Sequence, residues 1–370
     1  MGTNEITSLL DKSAAGERLT PAEGLALLER APLSDLSAAA TKVRNRLHPE
    51  PIATYIIDRN INYTNICVAD CDFCAFYRRP GDAEGYVLPK EDLHQKIREL
   101  LDVGGTQVLM QGGHHPYLKI EWYEEMLRDL RATFPTIHLH AFSPSEIVHF
   151  AKLWKMPRRE VIRRFKAAGL HSIPGGGGEI LVDRVRQIIA PKKAQTDEWL
   201  DVYTQCAAEG LRGSCTMVIG HYETLAERIE HLERLRQVQD QTGGLNGVWS
   251  AFIVWTMQPN HTKLEGKITG AGPAEYLRML AVSRLYLDNI KNIQASWVTQ
   301  GAKIGQLSFM YGVNDWGGLM MEENVVSKAG TVFHVQIEEM RRLSAQLGLT
   351  LKKRNFFYQL LEETAPAAAD

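Results

Sequence analysis

From Ile52 onward, short apolar runs alternate with amphipathic stretches, and polar residues with chemical potential recur just after nearly every run. About eight such units fit in roughly 250 residues. Together these features predict an α/β protein, a (β/α)8 TIM-type barrel with an N-terminal helical extension. Strands that alternate with helices imply parallel pairing, because each parallel return needs a crossover. A doubly wound open sheet is the alternative. The barrel is favoured because it gathers the residues that follow its strands on one face.

Residues 1–50 read as the helical extension. Thr20-Pro21-Ala22-Glu23 has capping-box spacing with proline at the first helical position, ahead of the apolar run Leu25, Ala26, Leu27, Leu28. The barrel is expected over 51–345, with strands at 61–66, 106–110, 137–142, 171–174, 214–219, 249–255, 293–298 and 307–311. Helices are expected between them at 90–103, 120–133, 144–168, 181–189, 196–208, 223–241, 273–288 and 300–305. A C-terminal segment, 346–370, ends in the alanine-rich stretch 365–369, expected to be disordered.

Apolar residues make up 44% and charged residues 23% of the chain, proportions that suit a globular enzyme with a substantial core. A formal net charge of −2 argues against a nucleic-acid coat or a polybasic membrane binder. No apolar run approaches the roughly 20 residues that cross a bilayer. The first residues lack the basic-then-apolar layout of a signal peptide, so a cytoplasmic protein is expected.

Three of the five cysteines fall within eight positions, which in a reducing compartment points to metal or redox chemistry. Cys206 and Cys215 sit in apolar contexts and read as buried packing residues. Cys67, Cys71 and Cys74 are spaced C-x3-C-x2-C. A compact loop with that spacing can bring three thiolates to three corners of an iron–sulfur cube, leaving a fourth iron open for chemistry. Structural zinc is the bland alternative, but it normally uses two C-x2-C knuckles and no second one is present. A Cys71–Cys74 redox disulfide would leave Cys67 unexplained.

Asn65-Ile66-Cys67-Val68-Ala69-Asp70-Cys71-Asp72-Phe73-Cys74 resembles the signature of the radical S-adenosylmethionine superfamily. The resemblance implies a [4Fe-4S] cluster on Cys67, Cys71 and Cys74, with its open iron chelating S-adenosyl-L-methionine. Reductive cleavage would then yield a 5′-deoxyadenosyl radical that abstracts hydrogen from substrate. It also implies cofactor contacts from Phe73 against the adenine, from Gln111, Gly112 and Gly113 at the methionyl amino group, and from Ser143. Glu179, after Pro174-Gly175-Gly176-Gly177-Gly178, would bind the ribose hydroxyls. Val218 to Glu223 resembles the adenine-side motif. Taken alone, a Gly-Gly pair after a strand is as readily a plain turn.

His138-Leu139-His140 places two histidines on one strand face by period-two alternation. They are either hydrogen-bonded barrel residues or, for His140, a catalytic group that reaches the substrate; His221 has the same two readings. Trp297 closes the seventh run and Asp315 follows the eighth, and both are assigned to the substrate cavity, with core packing as the alternative for Trp297.

Further segments resemble the branch of the superfamily that serves the futalosine route to menaquinone. They are Asn62-Tyr63-Thr64-Asn65, Cys74-Ala75-Phe76-Tyr77-Arg78, Gly104-Gly105-Thr106-Gln107, His140-Ala141-Phe142-Ser143-Pro144, Ile173-Pro174-Gly175-Gly176-Gly177, Gly220-His221 and Met321-Glu322-Glu323-Asn324. This branch implies a small nucleoside-like substrate, carbon–carbon bond formation, and a reductant such as flavodoxin or ferredoxin, with no nucleic-acid partner. A proton must also leave, and His140, His115 and Tyr77 are the candidate bases. Tyr63 stands where the enzyme acting earlier in that route is expected to carry proline. His114, Thr256-Met257 and Gly318-Leu319 depart from the branch pattern, which puts the pocket shape in question but not the cluster. Deazaflavin-forming radical enzymes are another possibility, and a non-catalytic zinc-stabilised binding barrel is the reading from a different class.

Overall fold

The computed structural model describes residues 3–330 and 333–362. Three helices, α1 (Thr3–Ala15), α2 (Pro21–Arg30) and α3 (Leu33–Leu47), form the N-terminal extension. The expected cap on α2 is present. Thr20 Oγ1 accepts from Glu23 N at 3.3 Å while the Glu23 carboxylate accepts from Thr20 N at 2.7 Å. Leu27, Leu36 and Val43 of these helices belong to the same buried apolar cluster as the barrel.

The chain then runs β1 (Ile52–Ile56), β2 (Asp58–Ile61), α4 (Lys90–Asp102), β3 (Gln107–Met110), α5 (Ile120–Thr133), β4 (His138–Ala141), α6 (Pro144–Leu153) and α7 (Arg158–Ala168). Next come β5 (Ser172–Ile173), α8 (Asp183–Ile189), α9 (Thr196–Ala208), β6 (Arg212–Ile219), α10 (Leu225–Thr242), β7 (Trp249–Thr256) and α11 (Pro273–Tyr286). The last elements are β8 (Ile293–Gln294), α12 (Trp297–Ser308), β9 (Asp315–Gly318), α13 (Val325–Lys328), α14 (Ile337–Ala345) and β10 (Thr350–Lys353). Among the described residues, no helix is long and apolar enough to cross a membrane.

Every strand pair is parallel, and the sheet runs β10-β1-β9-β8-β7-β6-β5-β4-β3-β2. β1 and β2 are two halves of one run interrupted at Ile57. The first half pairs with β9 and the second with β3, so this run joins the two ends of the sheet. Ile56 O accepts from Leu319 N on one side, and Ile57 O accepts from Thr106 N on the other, both at 3.0 Å. The result is the expected (β/α)8 TIM-type barrel.

β10 is an addition that the sequence pattern did not disclose. It runs beside β1, after which the chain turns inward and Arg354, Phe356 and Tyr358 line the barrel interior. The 346–370 segment is thus, through residue 361, a strand followed by a barrel floor. The stretch 365–369 lies outside the described residues.

Three expected boundaries are corrected. The 307–311 strand is instead the end of α12 and a tight turn at Phe309–Tyr311, with Leu307 and Met310 exposed and Phe309 buried, a helical and not an alternating pattern. The eighth strand is β9, whose sequence Asp-Trp-Gly-Gly carries no strand signature although Trp316 is fully buried. The 61–66 strand contributes only Ile61, since the first strand lies upstream and the polar letters Asp58, Arg59 and Asn60 concealed it. The 144–168 helix is broken between α6 and α7, where Pro157 caps the second piece.

Candidate active site

The loop between β2 and α4 carries the three cysteines, and its own polar residues fix its path. Asn65 Nδ2 donates to Glu84 O at 2.9 Å while its Oδ1 accepts from Tyr86 N at 2.9 Å. Cys67 N bonds Arg78 O at 2.9 Å, and Arg78 N bonds Asn65 O at 2.8 Å. Asp70 adopts a left-handed φ of 53° between the first two cysteines, and its carboxylate accepts from Tyr77 Oη at 2.5 Å and Lys263 Nζ at 3.0 Å. A turn at that position lets Cys67 and Cys71 face the same way.

All three cysteines are free, and they line one cavity with Phe73, Tyr77, Gln111, Gly112, Gly113, Ser143 and Glu179. Cys67 Sγ accepts from Ala69 N at 3.4 Å and His114 N at 3.2 Å, donors that favour a thiolate. Burial nevertheless pushes the Cys67 and Cys71 thiols up, so ligation has to displace their protons. Gly113 is where this loop meets β3. A Cβ there would lie 2.3 Å from Ile66 O and 2.9 Å from Cys67 Cβ, so only glycine admits the loop this closely.

Three sulfurs on one loop and lining one cavity, with Cys67 Sγ receiving two backbone N–H groups, suit an iron–sulfur cube, in which each thiolate takes a separate iron. Among the described residues, no three His, Cys, Asp or Glu side chains are placed to hold a single metal ion.

Glu146 organises the next wall. Its carboxylate accepts from Tyr63 Oη at 2.5 Å, Gly112 N at 3.0 Å and Ser143 N at 2.7 Å, and Ser143 Oγ returns the cap by accepting from Glu146 N at 3.2 Å. Ser143 therefore lines the cavity and caps α6. Opposite it, Glu179 is buried at a φ of 30°, with Lys193 Nζ 2.8 Å and Arg186 Nη1 3.5 Å away. Burial alone would push its carboxyl up, but Lys193 and Arg186 hold it below the ordinary range. Glu179 thus presents an anion at the cavity edge. Lys193 also stands 5.2 Å from the Phe73 ring centroid.

Inside the barrel lies a second cavity of about 260 Å³, which shares Gln111, Gly176, Gly177, Glu179 and Val325 with the thiol cavity. The two chambers adjoin at these residues. His140 lines the inner one, fully buried, with Nδ1 2.6 Å from Ser172 Oγ. The sequence reading missed several other residues there. Asn60 Oδ1 and Gln107 Oε1 are buried on its wall with no hydrogen-bond partner, and each can accept from a ligand hydroxyl. Asp58 sits beside them; burial pushes its carboxyl up to about 6, and Met320 N donates to it at 3.2 Å. The signal was available in the alternation of Asp58 and Asn60, which puts two polar side chains on one strand face. Gly318, a departure from the branch pattern, leaves room for that carboxylate, since a Cβ there would lie 2.2 Å from Asp58 Oδ1.

The structure brings together Cys67, Cys71, Cys74, Phe73, Tyr77, Gln111, Gly112, Gly113, Ser143 and Glu179, with His140 in the adjoining chamber. Other candidates stand apart. His115 lines neither chamber, and its Nδ1 accepts from Tyr117 N at 3.1 Å and Leu118 N at 3.2 Å, which makes it a turn-stabilising residue. Trp297 begins α12 and is buried, donating from Nε1 to Gly318 O at 3.2 Å without reaching either cavity; core packing is its role. Asp315 is consumed by Arg354, with N–O distances of 2.5 and 2.7 Å, and does not line the cavity. Tyr77 reaches the thiol cavity, but its hydroxyl is committed to Asp70. His221 lines neither chamber, and its buried ring has Nε2 2.9 Å from Val218 O and Nδ1 3.2 Å from Glu223 Oε2.

Two family models match the chain, Radical SAM superfamily over residues 61–235 and CofH/MqnC C-terminal region over 246–367. A cyclic dehypoxanthine futalosine synthase of Halalkalibacterium halodurans is 43% identical over 356 residues, covering 96% of this chain and 95% of that protein. Its counterpart from Streptomyces coelicolor is 44% identical over 360 residues, covering 96% and 89%. A 5-amino-6-(D-ribitylamino)uracil–L-tyrosine 4-hydroxyphenyl transferase of Methanosarcina barkeri is 36% identical over 370 residues, covering 98% and 96%. The crystal structure of methylornithine synthase superposes with a TM-score of 0.71 at 18% identity, covering 93% of this chain and 97% of that one, a likeness of fold.

Proposed function

The chain belongs to the radical SAM superfamily, and we propose that within it the protein cyclises dehypoxanthine futalosine to cyclic dehypoxanthinyl futalosine, a step of menaquinone biosynthesis. The superfamily uses a [4Fe-4S] cluster and S-adenosylmethionine, and the protein is an enzyme of radical carbon–carbon bond formation. The zinc-stabilised binding barrel is thereby set aside. The observation that carries the specific reaction is the 43% and 44% identity to two proteins of that name along nearly the whole chain.

When bound, the cluster and S-adenosylmethionine supply one-electron chemistry that removes a hydrogen atom from an unactivated carbon, here ribose C4′ of the substrate. The protein's part is placement. Cys67, Cys71 and Cys74 would hold the cluster, and Gly112, Gly113, Phe73 and Glu179, which line the same cavity, would hold S-adenosylmethionine at its methionyl end, adenine and ribose hydroxyls respectively. The inner chamber holds the substrate, with the unpaired oxygens of Asn60 and Gln107 accepting its hydroxyls. His140 lies there as the group that takes up the departing proton, with its Nδ1 engaged by Ser172 and its Nε2 free of any such bond. A low-potential flavodoxin or ferredoxin supplies the electron, and a reducing cytoplasm suits the free thiols.

A deazaflavin-forming transferase is the second reading, favoured by the 36% identity to the Methanosarcina protein along 98% of this chain. Aminofutalosine synthase fits less well. Tyr63 donates to the carboxylate that also holds Gly112 N, and proline, expected there in that enzyme, would remove this link. The test is anaerobic reconstitution with iron, sulfide and a reductant, followed by incubation with dehypoxanthine futalosine or with the aminouracil and tyrosine. A product two hydrogens lighter than dehypoxanthine futalosine supports the cyclase; a tyrosine-derived adduct of the aminouracil overturns it.

A further inference from the structure

Two histidines on β4 share one serine hydroxyl. Ser172 Oγ lies 2.6 Å from His140 Nδ1 and 2.7 Å from His138 Nε2, and Ser172 is fully buried. The alternation of His138-Leu139-His140 puts both rings on the inner face of β4, and the pairing of His140 with Ser172 sets the hydroxyl beside them. A hydroxyl has one proton, so it can donate to only one of two nitrogens and must accept from the other. The hydroxyl can bridge the two rings in either sense; the sense that leaves His140 Nε2 as an acceptor has His140 Nδ1–H donating to Ser172 Oγ and Ser172 Oγ–H donating to His138 Nε2.

The two ends differ. His140 lines the inner chamber, and among the described residues no hydrogen bond engages its Nε2, which leaves that nitrogen free to accept. His138 begins the strand, toward the opposite mouth of the barrel, and is partly exposed. Its ring is held by stacking on Phe356, with centroids 4.6 Å apart and planes at 14°, and on His171 at 5.1 Å. His171 does not extend the chain, because its Nδ1 accepts from Leu139 N at 2.9 Å. Burial pulls both imidazoles down, His138 to about 3, so both rest neutral with one ring proton each.

We propose that Ser172 and His138 form a relay that carries the proton taken by His140 from the substrate radical out through the N-terminal mouth of the barrel. The inference rests on the cyclase reading, which requires a proton to leave the substrate. That proton goes to His140 Nε2, the Nδ1 proton to Ser172 Oγ, the hydroxyl proton to His138 Nε2, and the His138 Nδ1 proton to water. One proton enters and one leaves. The accompanying electron passes to a one-electron iron–sulfur acceptor, and entry of water on product release resets the tautomers. Ser172 and His138 are positioning residues here, because neither touches the substrate.

The test uses the reconstituted holoenzyme with dehypoxanthine futalosine, comparing wild type with Ser172→Ala, Ser172→Thr and His138→Gln. The relay predicts that Ser172→Ala and His138→Gln form cyclised product about 10-fold or more slowly with KM little changed. Both should still release 5′-deoxyadenosine, so hydrogen abstraction is uncoupled from closure. Wild type should show a solvent deuterium effect with more than one proton in flight, reduced in both variants, and Ser172→Thr should recover part of the rate. His138→Gln decides the matter if Ser172→Ala fails to fold. Cyclisation at the wild-type rate and with the wild-type solvent effect in a folded variant overturns the relay alone. A wild type that forms no cyclised product overturns the cyclase reading and the relay together.

Discussion

Asp315 and Arg354, 39 positions apart, meet in a buried two-point ion pair with N–O distances of 2.5 and 2.7 Å. Thr54 Oγ1 adds a third contact to the same carboxylate at 2.5 Å, so β1, β9 and the C-terminal segment are tied at one point. Removing one partner leaves the other charge buried and unpaired. Arg354→Met should cost about 3–5 kcal/mol, read as a lower denaturation midpoint, and adding Asp315→Leu should recover much of it. A single variant as stable as wild type would contradict this role.

Gly113→Ala should spare the fold and damage the cluster. The added methyl meets Ile66 O and Cys67 Cβ, so the cysteine loop must move away. The expected result is a helical circular-dichroism spectrum like that of wild type with most of the iron, and the broad visible absorption, lost. Full iron content would show that the loop tolerates the displacement.

Glu179→Gln should weaken S-adenosylmethionine binding by about 10–100-fold, roughly 1.4–2.8 kcal/mol, with cluster content unchanged. Calorimetric titration of the reconstituted protein beside an iron assay separates these. Iron loss with unaltered affinity would move Glu179 from ligand contact to cluster support.

Asp58 gives a pH dependence of stated sign. Its carboxyl is raised from 3.8 to about 6, so the folded protein binds this proton more tightly than the unfolded chain. The stability it contributes is complete below pH 4 and is lost as the pH rises through 6, a change of about 3 kcal/mol at most. Asp58→Asn should therefore flatten the fall in stability between pH 4 and 7, measured by denaturation across that range. An unchanged slope would place the titration elsewhere.

Much of the architecture was legible because helices advertise themselves. The 120–133 and 196–208 expectations coincide with α5 (Ile120–Thr133) and α9 (Thr196–Ala208). The cysteine loop was equally plain, since three thiols at close spacing have few other uses. The strands were harder, as β5 and β8 are two residues long and offer no period to read. Asp315 and Trp297 misled because position after a strand does not say which way a side chain turns: one found Arg354 and the other the core. The polar inner wall of Asp58, Asn60 and Gln107 escaped because barrel strands were sought as apolar runs. The barrel floor escaped because Phe356 and Tyr358 follow the basic stretch Lys352-Lys353-Arg354, which reads as solvated chain.

In the proposed cyclisation, a substrate in the inner chamber gives a ribose C4′ hydrogen to chemistry begun at the three thiols. Dehypoxanthine futalosine carrying deuterium at C4′, turned over by the reconstituted protein, tests it in one mass spectrum. The expected result is 5′-deoxyadenosine one mass unit heavier, formed together with cyclised product. Undeuterated 5′-deoxyadenosine accompanying cyclised product would contradict it.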